Sequence, residues 1–255
     1  MREIIKADRL AILTRHAITP ANRAKYEGST ESQVQGLSVD MPVAHPEGAI
    51  QAHAHGLALG RFALEQSINI VEVHTSKTIR TITTRDLALE HMSGLSIATP
   101  SRELWEHRKG DKTKGGLEGI LRSEAYPDKT VVDDWDYRHG TRESGGETPR
   151  EAGERWLRWF SHVTQQANFQ PRQSADEAVP TIITFGHNAI TAYGITLLNH
   201  DSESPLPPAS DRTFKVHNAT SLLLAEQNGT WSVLPERLEP TPEDFEEARM
   251  YITER

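Results

Sequence analysis

The sequence contains no cysteine. That excludes disulfides, thiolate catalysis and zinc held by cysteine. No run approaches the roughly 20 apolar residues needed to span a bilayer. The opening Met1-Arg2-Glu3-Ile4-Ile5-Lys6-Ala7-Asp8 mixes charges and has no apolar core of signal-peptide length. A cytoplasmic location is therefore expected. Positive charge is in deficit. A net charge of −8 argues against nucleic-acid or membrane binding through a broad surface. Internal repeats are missing, and so is any linker able to divide the chain into separate domains. The 255 residues are expected to form one domain, 1–255, long enough to bury a large core. With 36% hydrophobic and 25% charged residues, the chain reads as soluble and globular.

Strands alternating with helices are what the sequence does contain. Residues 9–14, 68–75 and 179–185 read as strands, the first holding a short apolar run, Leu10–Leu13, and the last reading as buried. Helical spacing predicts helices from Pro46-Glu47-Gly48 to about Gln66, from Thr78 to Met92 and from Asn188 to about Leu198. Thr148, Pro149 and Glu151 form the signature of a capped helix entry, with the helix running to about Ala167. Leu95–Ala98 is a short candidate strand. Phe214–Ala225 and Thr230–Leu234 read as strands about an Asn228-Gly229 hairpin turn, and Glu243–Glu254 as a closing helix. Residues 17–47 read as a long active-site loop and 100–146 as an irregular, cap-like segment. This order indicates an α/β fold with a largely parallel sheet.

Chemistry-bearing residues recur just past strand ends, where α/β proteins bind ligands. Arg15 and His16 follow the first strand, with Asn22 shortly after. His187 follows the 179–185 strand and opens a helix. Arg80 lies in the first turn of another helix, where backbone N–H groups and the dipole favour an anion. Glu106 lies in the loop Arg102–Gly110. Arg108, Lys109, Lys112 and Lys114 crowd the segment 107–116, which reads either as a solvated loop or as a basic lip attracting phosphorylated substrates. His45, His53 and His55 invite a metal reading. His53 and His55, however, are two apart and face different ways on a helix, so polar surface positions or supporting positions behind a site are expected instead. Arginines and a donor histidine can hold the equatorial oxygens of a phosphoryl group. A second histidine can act as nucleophile, and a carboxyl group can move the proton.

These residues, taken in order, resemble the histidine phosphatase superfamily with its phosphoglycerate-mutase-like fold, over roughly residues 9–235. Arg15-His16-Ala17-Ile18-Thr19-Pro20-Ala21-Asn22 matches the first motif of that family at Arg, His, Thr and Asn. Gly48-Ala49-Ile50-Gln51-Ala52 resembles its helix entry, and Ser76, Arg80 and Thr84 match a later segment. Leu104-Trp105-Glu106 with Gly110, then Gly146-Glu147-Thr148, Phe185-Gly186-His187 and Val216-His217-Asn218-Ala219-Thr220 follow in family order. The resemblance implies a three-layer architecture, a mostly parallel central sheet with helices on both faces. It implies His16 as phosphoacceptor, and Arg15, Arg80 and His187 as holders of the phosphoryl group. Asn22 would be an auxiliary donor, with Lys25 and Arg108 on the substrate side. Glu106 would be the proton donor, with Glu103 as a substitute. Departures are Ala17 for the usual glycine, Ile18 for an acidic residue, Asn188 after the second histidine, and the basic insertion at 107–116, which is expected to shape substrate choice.

The activity so implied is that of a phosphomonoesterase working through a phosphohistidine. The runner-up is a phosphoglycerate-type mutase, although no proline-rich Arg-Arg-Ser-Tyr insertion lies between Glu118 and Glu147. A non-catalytic phospholigand-binding protein is a third reading. The chemistry requires no metal or organic cofactor, so hydrolysis is expected to persist in a chelator. The expected partner is a phosphorylated small molecule, with a phosphoprotein left open as substrate and a homodimer left open as assembly. Neither nucleic acid nor membrane is expected.

Overall fold

Residues 6–27, 41–125, 133–201, 204–209, 211, 213–214 and 216–254 are described by the computed structural model. The buried run at the start of the chain forms β1 (Arg9–Arg15), the middle strand of a five-stranded sheet. β2 (Ile68–Thr75) and β3 (Val179–Gly186) run parallel to it. β4 (Ser221–Gln227) runs antiparallel, and β5 (Thr230–Leu238) turns back again, so four of the five strands share one direction. The order across the sheet is β2-β3-β1-β4-β5. Asn228 and Gly229, at φ 52° and 79°, make the two-residue turn joining β4 to β5, and positive φ at both centres is what that turn demands.

Side chains alternate across the sheet with the period of the strand. On one face Leu10, Ile12, Val73, Ile183, Phe185 and Leu223 pack with Ala58 and Leu59 of α2 (Glu47–Glu65) and Ala88 of α3 (Ile79–Leu89). On the other, Ala11, Leu13, Ile182, Leu222 and Leu224 meet Trp156, Trp159 and Phe160, which lie on a helix, Pro149–Thr164, and Ile190 and Ile195 of a second helix, Asn188–Leu198. Helices thus cover both faces, as expected. Thr148 caps the Pro149–Thr164 helix through the reciprocal bonds with Glu151 that the sequence predicts. The two helices on that face approach closely because residue 194 is glycine: a Cβ there would lie 2.2 Å from the Trp156 ring.

Several expectations are corrected. Some of the predicted loop 17–47 is helical, α1 (Pro20–Tyr26), while residues 28–40 lie outside those described. Within the irregular segment 100–146 there is a 3-10 turn at Lys112–Lys114 and a single helical turn, α4 (Arg122–Ala125). The helices at 149–164 and 188–198 are accordingly α5 and α6. Residues 126–132, with Tyr126-Pro127, fall outside the described residues. Leu95–Ala98 makes only a bridge between Ile97 and Val73, because it skirts the sheet edge. β4 begins at Ser221 rather than Phe214, since Ala219 takes φ 49° and turns the chain to bond the end of β1. The last helix, α7, is Pro242–Thr253. No helix among the described residues is long and apolar enough to cross a membrane.

Candidate active site

Strand register assembles the site. Arg15 at the end of β1 pairs with Gly186 at the end of β3, so the next residues, His16 and His187, emerge side by side. Adjacent strands lie about 4.8 Å apart, and the two imidazole centroids are 5.3 Å apart in an edge-to-face arrangement. β2 brings Thr75 opposite Phe185, which delivers Ser76 to the same rim. Arg80 enters from the first turn of α3 and is 1% exposed.

The protein fixes both imidazoles. His16 Nδ1 lies 2.7 Å from the carbonyl of Ala17. A carbonyl only accepts, so Nδ1 carries the proton and Nε2 keeps a lone pair. Burial first, then the guanidiniums of Arg80 and Arg15, hold this histidine well below its ordinary pKa, so it is neutral at pH 7. His187 is oriented from the opposite nitrogen: its Nε2 lies 3.0 Å from Ser76 Oγ and 3.3 Å from Thr78 Oγ1. Its Nδ1 has no hydrogen-bond partner among the described residues and stands 3.9 Å from Glu106 Oε2. Burial, then Arg80 and His16, push its pKa well down as well.

Around this pair the backbone is pinned. Thr84 Oγ1 accepts from the Ala17 N–H at 2.9 Å, and Gln51 Oε1 from that of Ile18 at 2.9 Å. Asn218 Nδ2 donates to the His16 carbonyl at 2.9 Å. Arg15 Nη1 donates to the Val216 carbonyl at 3.1 Å, while its Nε has no partner among the described residues. Two buried or half-buried guanidiniums, two neutral imidazoles and one carboxylate therefore converge past the strand ends. Such a set suits a tetrahedral anion with a leaving group to protonate.

No protein-family model matches the sequence, and no curated protein does. Solved structures do match. A mycobacterial glucosyl-3-phosphoglycerate phosphatase is 18% identical with a TM-score of 0.65, covering 89% of this chain and 97% of its own. A phosphoglycerate mutase from Bacillus anthracis is 17% identical with a TM-score of 0.65, covering 94% of this chain and 96% of its own. A candidate α-ribazole-5′-P phosphatase from Escherichia coli is 18% identical with a TM-score of 0.62, covering 91% and 96%. The fold is phosphoglycerate-mutase-like.

On this phosphoglycerate-mutase-like frame, Arg15, His16, Arg80, Glu106 and His187 meet in one place. Other candidates are engaged elsewhere. Asn22 Oδ1 accepts from Thr19 Oγ1 at 3.0 Å and from Asn218 Nδ2 at 3.4 Å. Arg108 gives Nε and Nη2 to Glu147 at 3.0 and 2.9 Å. Glu103 is exposed, and the side chain of Lys25 is outside those described. In the basic segment, Lys109 Nζ lies 2.6 Å from His107 Nδ1, whereas Lys112 and Lys114 face solvent.

Of the two placements expected for the helical histidines, the surface one is corrected for His53 and His55. His53 and His55 are buried, at 3% and 0% exposure, not on the surface. His53 packs against His91 and Tyr251, and His55 Nε2 meets the hydroxyls of Thr14 and Ser221 at 3.3 and 3.1 Å. Neither joins a metal-binding group of three among the described residues. Sequence reasoning assigned no role to Ser76, Thr78, Thr84, Gln51 or Asn218, although all but Thr78 fall within motifs it had singled out.

Proposed function

We propose that the chain is a phosphomonoesterase of the histidine phosphatase type, acting on a phosphorylated small molecule. Neutral His16 attacks phosphorus through Nε2, forming a P–N bond as the bond to the leaving oxygen breaks. Glu106 gives that oxygen its proton. Water then attacks phospho-His16, losing a proton to Glu106 as the P–N bond breaks and phosphate departs. Arg15, Arg80 and His187 carry the charge on the equatorial oxygens. The observation that carries this reading is the Nδ1–H bond from His16 to Ala17, which leaves an unprotonated nitrogen beside a second imidazole and two arginines. The names of two phosphatases among the fold neighbours support it.

Mixing the protein with p-nitrophenyl phosphate and quenching in alkali should trap phosphate on His16, read as a mass shift of the peptide containing it. Turnover with no label on His16 would overturn the mechanism. A mutase is the second reading, favoured by the Bacillus anthracis neighbour. Isomerisation of 3-phosphoglycerate with little phosphate release would establish it in place of hydrolysis.

A further inference from the structure

Glu106 sits in a loop without regular structure, yet a group that moves protons must be held to about half an ångström. One buried side chain does the holding. Arg155 of α5 donates from Nη1 to the carbonyls of Glu103 at 2.6 Å, Trp105 at 3.0 Å and Arg102 at 3.4 Å, and from Nη2 to the carbonyl of Glu106 at 3.4 Å. The same guanidinium grips Glu147, from Nη2 to Oε1 at 2.5 Å and from Nε to Oε2 at 3.3 Å. Glu147, 1% exposed, then takes hold of the loop beyond Glu106. Its carboxylate accepts from the Arg108 backbone N–H at 2.9 Å and from the Arg108 guanidinium, and its carbonyl accepts from His107 Nε2 at 2.9 Å. The loop is thus clamped on both sides of one residue. Within the clamp, the His107 N–H donates to Glu106 Oε1 at 3.0 Å, leaving Oε2 turned toward His187.

We propose that Arg155 and Glu147 are positioning residues that set the carboxyl of Glu106 against the leaving oxygen, an inference that rests on the reading of Glu106 as proton donor. A lysine at 155 keeps the charge but cannot span four carbonyls and a carboxylate with a planar fork. The test compares phenyl phosphate with p-nitrophenyl phosphate. The two are alike in shape, but phenolate needs a proton to leave far more than p-nitrophenolate does. The ratio of their kcat/KM values is independent of the fraction of protein folded. Glu106→Gln should lower phenyl phosphate turnover selectively, and Arg155→Lys and Glu147→Gln should do the same, by about 10-fold or more for Arg155→Lys. If Glu106→Gln leaves the ratio unchanged, the proton-donor reading fails and takes the proposal with it. If Glu106→Gln shifts the ratio while Arg155→Lys and Glu147→Gln do not, the proton donor stands and the positioning role is overturned.

Discussion

His16 and His187 hold matching places at the ends of two paired parallel strands, but the protein grips them by opposite nitrogens. A backbone carbonyl accepts a hydrogen bond from Nδ1–H of His16, which leaves the lone pair on Nε2. Hydroxyls of Ser76 and Thr78 hold Nε2 of His187, and when they donate, Nδ1 is left bearing the proton toward the site. On the proposed mechanism the same side chain then serves as a nucleophile at one strand end and as a hydrogen-bond donor at the other. A third buried histidine, His55, completes the contrast. It also meets two hydroxyls, but it lies beneath the sheet, and burial alone lowers its pKa, to about 3, against an opposing pull from Asp244.

The largest effect should come from His16→Ala, which removes the proposed attacking atom. Hydrolysis of p-nitrophenyl phosphate should fall by about 10⁴-fold or more, and a rate near that of the native protein would break the contrast outright. His187→Gln removes only a donor to developing charge. A loss of about 10²- to 10³-fold is expected, with phosphate still trapped on His16. Failure of the label to form would make the two histidines equivalent. Ser76→Ala leaves Thr78 to orient His187, so a fall of only about 10-fold in kcat is expected, with His16 labelling unchanged. An effect as large as that of His187→Gln would mean that the hydroxyl itself serves the reaction.

The last effect concerns stability rather than rate. A histidine whose folded pKa is depressed binds fewer protons folded than unfolded below about pH 6.5, so stability is greatest above that pH and is lost on acidification. For His55 the window runs from about 6.5 down to about 3. It should cost about 2 kcal/mol between pH 7 and pH 5, at about 1.4 kcal/mol per pH unit. Urea unfolding at those two pH values should show a smaller difference in His55→Gln than in the native protein, and equal differences would remove His55 from the account.

The frame, and the side chains that converge past the strand ends, are legible in the sequence because both leave strong local marks. The strands at 68–75 and 179–186 are rich in isoleucine and valine and end at small or polar residues, and Thr148 with Glu151 is a local cap. Arg15, His16, Arg80 and His187 stand where strands end and helices begin, so their convergence follows once the strands pair in register. The supporting groups leave no such mark. Thr78 and Arg155 matter through partners 109 and 49 residues away, and a threonine or a helical arginine reads like any other. The burial of His53 and His55 was equally hidden, because small neighbours such as Ala52, Ala54 and Gly56 draw α2 inward on more than one side. Ala219 misled for another reason: a left-handed alanine carries no compositional signal, so the strand seemed to start seven residues early.

The central placement of β1 has a consequence for how the molecule is made. The strand leading into His16 is synthesised first, yet its two neighbours are β3 and β4, which begin at residues 179 and 221. It cannot pair with either until more than 160 further residues have been made. Contacts so distant in sequence slow folding. The rim that carries His16 and His187 should therefore be completed late, with the emergence of the β4–β5 hairpin.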